Sequence, residues 1–194
     1  HDYTLLDSDE DFADEAEVIF DFEVEDTPES VEAYQGLDLP VFLNTVKLTL
    51  SELNYLYGIT GNMYGFNGLK TFVNRPQLEV TSLTPDDKSL EQIAESLNTE
   101  ILQVDDRVGM VTPRVIFMII NEAYYTVQEG TASKEDIDQG MKLGTNYPYG
   151  PFEWSEKIGI SDVYETLEAL YEDTKEERYK ICPLLKKAYL SNQS

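Results

Sequence analysis

The hydrophobic pattern changes near Asp105, and this change limits the fold more than any other feature of the sequence. Before it, short apolar runs alternate with polar or acidic stretches, which is typical of an α/β layer. Four of these runs are predicted strands, at residues 17–22, 39–44, 77–83 and 100–104. After it, apolar residues recur with helical spacing. We therefore expect an α/β domain over residues 1–105 followed by an all-α domain over residues 106–194, packed directly against each other.

One helix is predicted between the third and fourth strands. Thr84 is placed to cap it, and Pro85 suits its first position. Asp86 and Asp87 suit the positive end of the helix dipole. The order strand, helix, strand supports an α/β first half. The apolar face of this helix is predicted to contain Leu90, Ile93 and Leu97.

The second half is predicted to be a helical bundle. Residues 109–130 form a long helix whose first turns are apolar on every face, which indicates burial by several partners. Ser133 begins a second helix that ends at Gly144. Residues 161–175 form a third helix, and Pro183 begins the last. Because the bundle is small, part of the cover for its first helix has to come from the first half or from another chain.

The net charge restricts the partners that the chain can bind. Asp and Glu total 38 against 14 Lys and Arg, which gives a formal net charge of -24 and a pI of about 4.1. Such a chain repels nucleic-acid phosphates and anionic lipid surfaces. The sequence contains no apolar run long enough to span a bilayer and no signal-peptide pattern. We therefore expect a cytoplasmic protein with no nucleic-acid partner and no membrane partner.

Cysteine and histidine usage removes several kinds of chemistry. Cys182 is the single cysteine, so an intrachain disulfide or a multi-cysteine metal cluster is excluded. The single histidine is His1, so no mechanism can use an internal imidazole. The acidic residues 7–17 lack the glycine and the spacing of a Ca²⁺-binding loop. We predict no metal site and an ordinary thiol at Cys182.

Three segments of the second half carry a specific pattern. They are NEAYYTVQEGTASKEDIDQGMKLG at residues 121–144, MKLGTNYPYGPFEWSEKIG at 141–159 and PLLKKAYL at 183–190. Together they resemble the C-terminal helical domain of the 3-hydroxyacyl-CoA dehydrogenase family, with its NEA element, its S-x-E-D-I-D segment and its G-Y-P-x-G-P-F turn. Taken by themselves, the prolines and glycine of YPYGPFEW predict a turn, and its aromatic residues predict packing between helices.

Three segments of the first half resemble the later part of that family's NAD-binding domain. They are AEVIFDFEVED at residues 16–26, LNTVKLTLSEL at 43–53 and NMYGFNGLKTFVNRPQLEV at 62–80. The resemblance implies a truncated Rossmann-like nucleotide-binding domain packed on a helical domain. It also implies fatty acid metabolism, NAD-dependent oxidation of 3-hydroxyacyl-CoA, and pairing of two chains through the helical half.

The resemblance implies a catalytic dyad of histidine and glutamate, and the histidine is absent. In the family, the histidine takes the proton from the substrate 3-hydroxyl as hydride passes to NAD. The matching position is Asn67, whose amide is not a titratable base, while Glu79 keeps the glutamate. A dyad that has lost its base cannot carry out this oxidation.

Three further positions implied by the resemblance have changed their chemistry. The family serine that contacts substrate and cofactor corresponds to Val46, and the asparagine of H-F-F-N-P corresponds to Lys70. The asparagine that opens the long helix corresponds to Pro113, next to the retained Arg114. We therefore expect vestigial site positions, and no confident catalytic residue.

The glycines do not predict a dinucleotide site, which needs G-x-G-x-x-G between a strand and a helix. In the family this motif lies many tens of residues before the first strand predicted here, whereas only 16 residues precede Glu17. The first βαβ unit is therefore expected to be missing. NAD is implied by the resemblance alone, and we expect no bound cofactor. A glycine cluster of different spacing predicts turns around a strand, at Gly58, Gly61, Gly65 and Gly68.

Two classes of function stay open from the sequence. The first is a degenerate, non-catalytic member that acts as a binding or interaction protein, pairs as a homodimer through its helical half and takes an acyl-CoA-like small molecule. The second is an active enzyme: either one that handles acyl-CoA thioesters with Glu79 as base, or a dehydrogenase whose glycine-rich segment lies outside this sequence. The missing imidazole favours the first class.

Overall fold

The computed structural model of the protein describes residues 16–59, 62–84 and 88–192. By their mutual contacts the residues form two units, which are treated separately below. Unit 1 comprises His1–Gly68 and Gln77–Asp106, and unit 2 comprises Leu69–Pro76 and Arg107–Ser194. The predicted division at residues 105 and 106 stays a prediction, and most of the acidic residues 7–17 lie outside the described residues.

Unit 1 is built on a mixed five-stranded sheet. Its strands follow the chain in spatial order, and only the pairing of β3 with β4 is antiparallel. The expectation of an α/β first half followed by helices is confirmed, since each predicted strand is present and loses at most a few end residues. The strands are β1 Ile19–Asp21, β2 Val41–Asn44, β3 Met63–Phe66, β4 Gln77–Thr81 and β5 Glu100–Gln103.

The two faces of this sheet differ in the side chains that they carry, because successive residues of a strand point to opposite faces. One face carries an aromatic ladder, in which the rings of Phe20 and Phe42 stack at 4.9 Å and Phe42 lies 5.3 Å from Tyr64. The other face carries aliphatic residues of β2 and β3, Val41, Leu43 and Met63, which join a buried cluster that includes Leu50 and Leu53.

The described residues of unit 1 also form two α-helices and a 3₁₀ helix. They are the 3₁₀ helix Pro28–Tyr34, α1 Leu50–Tyr57 and α2 Ser89–Leu97. The sequence analysis did not predict α1, although Thr49 and Glu52 form a capping box at its start. The predicted cap of α2 at Thr84 is wrong. The N–H of Thr84 bonds to Ser82 Oγ at 3.1 Å, and the helix begins at Ser89, while Pro85, Asp86 and Asp87 lie outside the described residues.

Unit 2 is helical. Its described helices are α3 Thr112–Gln128, α4 Lys134–Thr145, α5 Pro151–Ile158, α6 Ile160–Thr174, a 3₁₀ helix Glu177–Tyr179 and α7 Pro183–Asn192. Two boundaries differ from the prediction. Helix α4 continues past Gly144 to Thr145, because Asn146 adopts the left-handed conformation that ends it. The predicted turn at YPYGPFEW ends at Gly150, and Pro151 begins α5.

The first turns of helix α3 are covered on part of their surface. Ile116, Phe117 and Ile120 are buried, and Val115 is 53% exposed. Covering of this part of α3 by another chain stays a prediction. None of the helices in the described part of the chain is long and apolar enough to cross a bilayer.

Candidate functional site

The antiparallel pairing of β3 with β4 brings two of the predicted site positions opposite each other. Gly65 pairs with Thr81 and Phe66 with Val80, so the next pair in register is Asn67 and Glu79. The backbone N–H of Asn67 donates to the carbonyl oxygen of Glu79 at 3.1 Å, which extends the ladder by one residue. Residues directly opposite in an antiparallel pair carry their side chains on the same face. Positions 67 and 79 therefore lie opposite each other with their side chains on one face of the sheet, and position 67 carries an amide.

Both members of this pair are shielded from water. Asn67 is 2% exposed and Glu79 is 8% exposed. A side-chain amide can donate and accept hydrogen bonds, but it cannot take up a proton near neutral pH. The pair can orient a polar group by hydrogen bonding. It lacks the imidazole through which a carboxylate would support proton abstraction.

A second polar network lies at the same end of β2 and β3, and sequence reasoning missed it. Asn44 at the end of β2 donates from Nδ2 to Glu25 Oε2 at 3.2 Å, and its Oδ1 accepts from the N–H of Gly68 at 3.0 Å. Glu25 also accepts a short hydrogen bond from the N–H of Lys47. Asn44 thus links three chain segments around position 67. The signal was present, since Asn44 belongs to the LNTVKL segment.

Glycine is required at Gly68 and Gly65 because other groups approach both residues closely. A Cβ at residue 68 would lie 2.9 Å from the Phe66 ring and 3.0 Å from Asn44 Oδ1. A Cβ at residue 65 would lie within 3.0 Å of Thr45 Oγ1, which is closer than real Cβ contacts allow. These two glycines therefore permit close approach, and Gly65 lies within the strand rather than in a turn. Gly58 is the left-handed cap of α1, and Gly61 lies outside the described residues.

Val46 lies at the same edge of the sheet as Asn67. The N–H of Thr45 donates to the carbonyl oxygen of Phe66 at 3.2 Å, so the residues that follow β2 run beside those that follow β3. Val46 is fully buried. Its isopropyl group offers no hydrogen bond to a ligand. Unit 1 therefore brings together Val46, Asn67 and Glu79, and all three stay predicted vestigial positions.

The remaining predicted position, Pro113, belongs to unit 2. It is buried near the start of α3, where its fixed φ suits the first turn. The neighbouring Arg114 donates to Tyr179 Oη at 3.0 Å and to the carbonyl oxygen of Val108 at 2.7 Å, so its guanidinium stabilises the packing of unit 2. Lys70 is exposed, and it also belongs to unit 2.

Two segments of unit 2 that resemble family motifs meet at the start of α5. Asp138, from the SKEDID segment, accepts from the N–H of Phe152 at 2.8 Å and from the N–H of Glu153 at 3.1 Å. A Cβ at Gly150 would lie within 3.0 Å of this carboxyl group. The carboxylate fills the N-terminus of α5, where partial positive charge collects. The YPYGPF segment therefore has a structural role that includes capping as well as aromatic packing.

Glu153 completes this arrangement. It accepts from Lys142 Nζ at 2.6 Å and from the N–H of Gly150 at 3.1 Å. The Lys142 hydrogen bond, followed by the Gly150 hydrogen bond, holds the pKa of Glu153 below its usual value. Because the folded state favours the carboxylate, this contribution to stability is present at neutral pH and is lost as the pH falls through the folded pKa.

Cys182 lies in a second structural junction of unit 2. Its N–H donates to Asn121 Oδ1 at 2.8 Å, and Asn121 Nδ2 donates to the carbonyl oxygen of Lys180 at 2.9 Å. The buried Sγ of Cys182 lies 3.5 Å from Gln128 Oε1. Asn121 is the first residue of the NEA element, so this element ties α3 to the chain before α7.

The two units carry very different charge. Unit 1 contains 24 of the 38 acidic residues and two of the 14 basic residues, Lys47 and Lys88, so its formal net charge is -22. Unit 2 contains the other 14 acidic and 12 basic residues, so its formal net charge is -2. Nearly all of the excess negative charge belongs to the unit that carries positions 67 and 79.

Comparison with known proteins places these features in a family. Residues 109–194 match the family model of the 3-hydroxyacyl-CoA dehydrogenase C-terminal domain. The chain is 46% identical over 90 residues to 3-hydroxyadipyl-CoA dehydrogenase of Escherichia coli, a match that covers 46% of this chain and 19% of that protein. It is 29% identical over 185 residues to a probable 3-hydroxybutyryl-CoA dehydrogenase of Bacillus subtilis, covering 90% of this chain and 64% of the relative.

Solved structures show the same fold. The (S)-3-hydroxybutyryl-CoA dehydrogenase of Ralstonia eutropha aligns with a TM-score of 0.75 at 22% identity, over 91% of this chain and 66% of that one. With the sheet, the helical half and the matched motifs in place, residues 109–194 match the C-terminal domain of the 3-hydroxyacyl-CoA dehydrogenase family, and the chain as a whole is similar to proteins of that family. The fold is Rossmann-like with a helix-rich C-terminal part. The absence of the first βαβ unit stays a prediction. The chain spans at most about two thirds of the length of these relatives.

Proposed function

We propose that this protein does not oxidise 3-hydroxyacyl-CoA with NAD and acts instead as a binding or interaction protein. One observation carries the proposal: the residue opposite Glu79 is Asn67. The reaction of the family needs a base at this position, and an amide cannot supply one. Removing a general base lowers the rate on the order of 10² to 10⁴-fold.

The charge of unit 1 supports the same proposal. NAD and coenzyme A are both anionic through their phosphates, and a unit of net charge -22 repels them. The N-terminus of α1, a position that can hold a phosphate, is filled by a carboxylate of the protein itself. Asp106 accepts there from the N–H of Leu50 at 2.8 Å and from the N–H of Ser51 at 2.7 Å. The described residues of unit 1 therefore fit a dinucleotide poorly, and we expect NAD not to be a cofactor.

The competing proposals keep catalysis. Glu79 could act as the base on an acyl-CoA thioester, or the glycine-rich segment could lie outside these 194 residues. Glu79 is 8% exposed, which hinders direct approach of a substrate carbon. Both competing proposals predict measurable turnover or exchange of an acyl-CoA, whereas the first proposal predicts no turnover and no exchange.

The test is an assay with the substrates for which the relatives are named. Purified protein is incubated with NAD and 3-hydroxybutyryl-CoA or 3-hydroxyadipyl-CoA, and NADH absorbance is followed beside the Bacillus subtilis relative as the active control. We expect no NADH from this protein. Exchange of the α-hydrogens of acetoacetyl-CoA with deuterated water, followed by NMR, checks Glu79 as a base. NADH formation at the rate of the control would contradict the proposal, and so would exchange abolished by Glu79→Gln.

We further propose that two chains pair through the helical half. The half-exposed Val115 of α3 lies four residues after the exposed Val111, which precedes the first residue of α3, and Leu143 on α4 is also exposed. A two-fold pairing would bury the same patch on both chains. Because each chain carries a charge of -24, repulsion opposes pairing, and it weakens as the Debye length falls from about 30 Å at 0.01 M salt to about 10 Å at 0.1 M. Sedimentation equilibrium should show a dimer that strengthens with salt, and a monomer at every salt concentration would contradict it.

A further inference from the structure

Unit 1 carries an open apolar groove beside α1, which we call the α1 groove. Its volume is about 460 Å³, within the range of about 300–1,000 Å³ that is typical of ligand pockets. It lies away from the pair at positions 67 and 79, whose residues do not line it. The residues that line it are Pro28, Leu48, Ser51, Glu52, Leu53, Tyr55 and Leu56.

The residues that line the groove differ in their exposure to solvent. Leu53 is buried and joins the core of unit 1. Tyr55 is 88% exposed and Leu56 is 64% exposed, although both are large and apolar. Two consecutive exposed apolar residues on one helix do not contribute to the core. Apolar side chains grouped around a concave surface are typical of a site that binds another molecule.

Three carboxylates belong to the groove or to residues next to its lining. Glu52 is one of its lining residues, and Glu29 is the exposed neighbour of the lining residue Pro28. The carboxylate of Asp106 is bonded to the N–H of Ser51, which also lines the groove. Lys47 is the one basic residue adjacent in sequence to a lining residue. An anionic small molecule is therefore repelled, whereas a cationic partner is attracted.

We propose that the α1 groove binds a basic amphipathic segment of a partner protein. Apolar side chains of the segment pack on Tyr55 and Leu56, and its lysines or arginines face Glu29, Glu52 and Asp106. Charge complementarity identifies the partner, because unit 1 has a formal net charge of -22. An amphipathic segment in an apolar groove is a recurring mode of peptide recognition. The inference goes beyond the proposed function, and it holds whether or not positions 67 and 79 support catalysis.

The experiment uses the whole chain, labelled with ¹⁵N, and three designed helical peptides. The first has Leu at positions i, i+3, i+4 and i+7 and Lys at the other positions, which gives one apolar and one basic face on a helix. The second has the same charge but Ser in place of Leu, and the third has Glu in place of Lys. We expect the Leu–Lys peptide to shift the amide signals of Ser51, Tyr55 and Leu56. The Ser–Lys peptide should bind about tenfold or more weakly, since it lacks the apolar anchors.

Variants locate the binding. Leu56→Ser should weaken binding of the Leu–Lys peptide about tenfold, because an exposed anchor is lost without disturbing the core. The matched control is Leu83→Ser, which removes an exposed leucine of the same unit that does not line the groove. It should leave the affinity unchanged. Glu29→Gln should weaken binding by a smaller factor and reduce its dependence on salt, because one facing charge is removed.

Several outcomes would overturn the proposal. Equal binding of the Leu–Lys and Ser–Lys peptides would mean that net charge alone attracts cations. Equal binding of the Leu–Glu peptide would mean an apolar site without charge selection. Self-association of the parent chain that disappears in Leu56→Ser would identify a second copy as the occupant. Unchanged binding in Leu56→Ser with shifts elsewhere would place the site outside the groove.

Discussion

Unit 1 and unit 2 both resemble the 3-hydroxyacyl-CoA dehydrogenase family, but they do so in different features. In unit 2 the segments that resemble the family stabilise the fold. Asp138 caps α5 beside Gly150, and Asn121 accepts a hydrogen bond from the N–H of Cys182. The family model matches residues 109–194, which lie in this unit. In unit 1 the pairing of β3 with β4 places positions 67 and 79 opposite each other, and position 67 carries an amide. Unit 1 also carries a formal net charge of -22 against -2 for unit 2.

The difference separates two reasons why a sequence motif is kept. A motif that caps a helix or closes a junction is needed for stability, whatever the protein does. A motif that supplies a base or a ligand contact is needed only while the chemistry is used. In unit 2 the segments that resemble the family therefore have structural contacts, whereas in unit 1 position 67 has no group that can act as a base.

The largest expected effect concerns the lost base. Asn67→His restores an imidazole opposite Glu79, and a general base is worth on the order of 10² to 10⁴-fold in rate. We expect no NADH from the variant with 3-hydroxybutyryl-CoA, because Val46 and the charge of unit 1 are unchanged. Recovery of turnover in this single variant would show that the missing base at position 67 is the one change that prevents catalysis. The functional difference between the two units would then be small.

The next effect tests the motif of unit 2. Gly150→Ala places a Cβ against the Asp138 carboxyl, so it combines overpacking with loss of the α5 cap. We expect a loss of about 2–4 kcal/mol in the free energy of unfolding. Urea unfolding followed by the fluorescence of Trp154, the single tryptophan and a buried residue of unit 2, measures it.

Gly140→Ala is the matched control for this prediction. Gly140 lies within α4, and a Cβ there would meet nothing within 4 Å. The variant should therefore stabilise unit 2 by about 0.5–1 kcal/mol, the usual gain for alanine in a helix. If both variants changed stability equally, the close approach at Gly150 would have no energetic role.

A smaller effect on stability is expected from removing the helix-capping carboxylate in each unit. Asp138→Ala removes the carboxylate from the start of α5, and Asp106→Ala removes the one at the start of α1. Loss of such a cap typically costs about 1 kcal/mol. In unit 1 the same change also relieves repulsion within a strongly acidic unit, so Asp106→Ala should cost less.

Hydrogen exchange of the α1 and α5 amides measures both caps, and the difference should shrink in high salt as the repulsion is screened. An equal cost in both units at low salt would mean that the charge of unit 1 is spread too widely to act on α1.

How much of this contrast could be predicted from the sequence depends on the range of the signals. Local periodicity and caps predicted four of the strands, β1, β2, β4 and β5. They also predicted the helices α3, α4, α6 and α7. Helix α1 was missed although Thr49 and Glu52 form a local capping box. Helix α5 was missed because its Gly150 and Pro151 were interpreted as part of a turn.

The site depends on longer-range information. The pairing of position 67 with position 79 follows from a register that the sequence alone does not specify, and it was expected from the family resemblance only. The carboxylate of Asp106 caps a helix that begins 56 residues earlier, and no local pattern marks such a partner. Glu25 and Asn44 were missed for the same reason, since their contacts join separate strands and loops.

The smallest expected effect is a loss of stability of unit 2 at alkaline pH. Burial, followed by the hydrogen bond to Glu168, raises the pKa of Tyr164 from 10.0 to about 12. The folded state therefore holds this proton more tightly. The contribution is fully present below pH 10 and is lost as the pH rises towards 12. Trp154-monitored unfolding of Tyr164→Phe should show a shallower loss of stability over this interval, and an unchanged slope would contradict the assignment.

The hydrogen bond from Gly68 to Asn44 also affects how this protein ages chemically. Asn67 and Gly68 form the single Asn-Gly pair of the sequence, and asparagine is a thermolabile residue. Conversion of its amide to an acid begins when the nitrogen of the following residue attacks the side-chain carbon and expels ammonia. In the folded chain that nitrogen donates to Asn44 Oδ1 at 3.0 Å, and the asparagine is 2% exposed. We therefore expect amide loss at residue 67 to occur in unfolded chains, so that the acid content at this position measures the time a sample has spent unfolded.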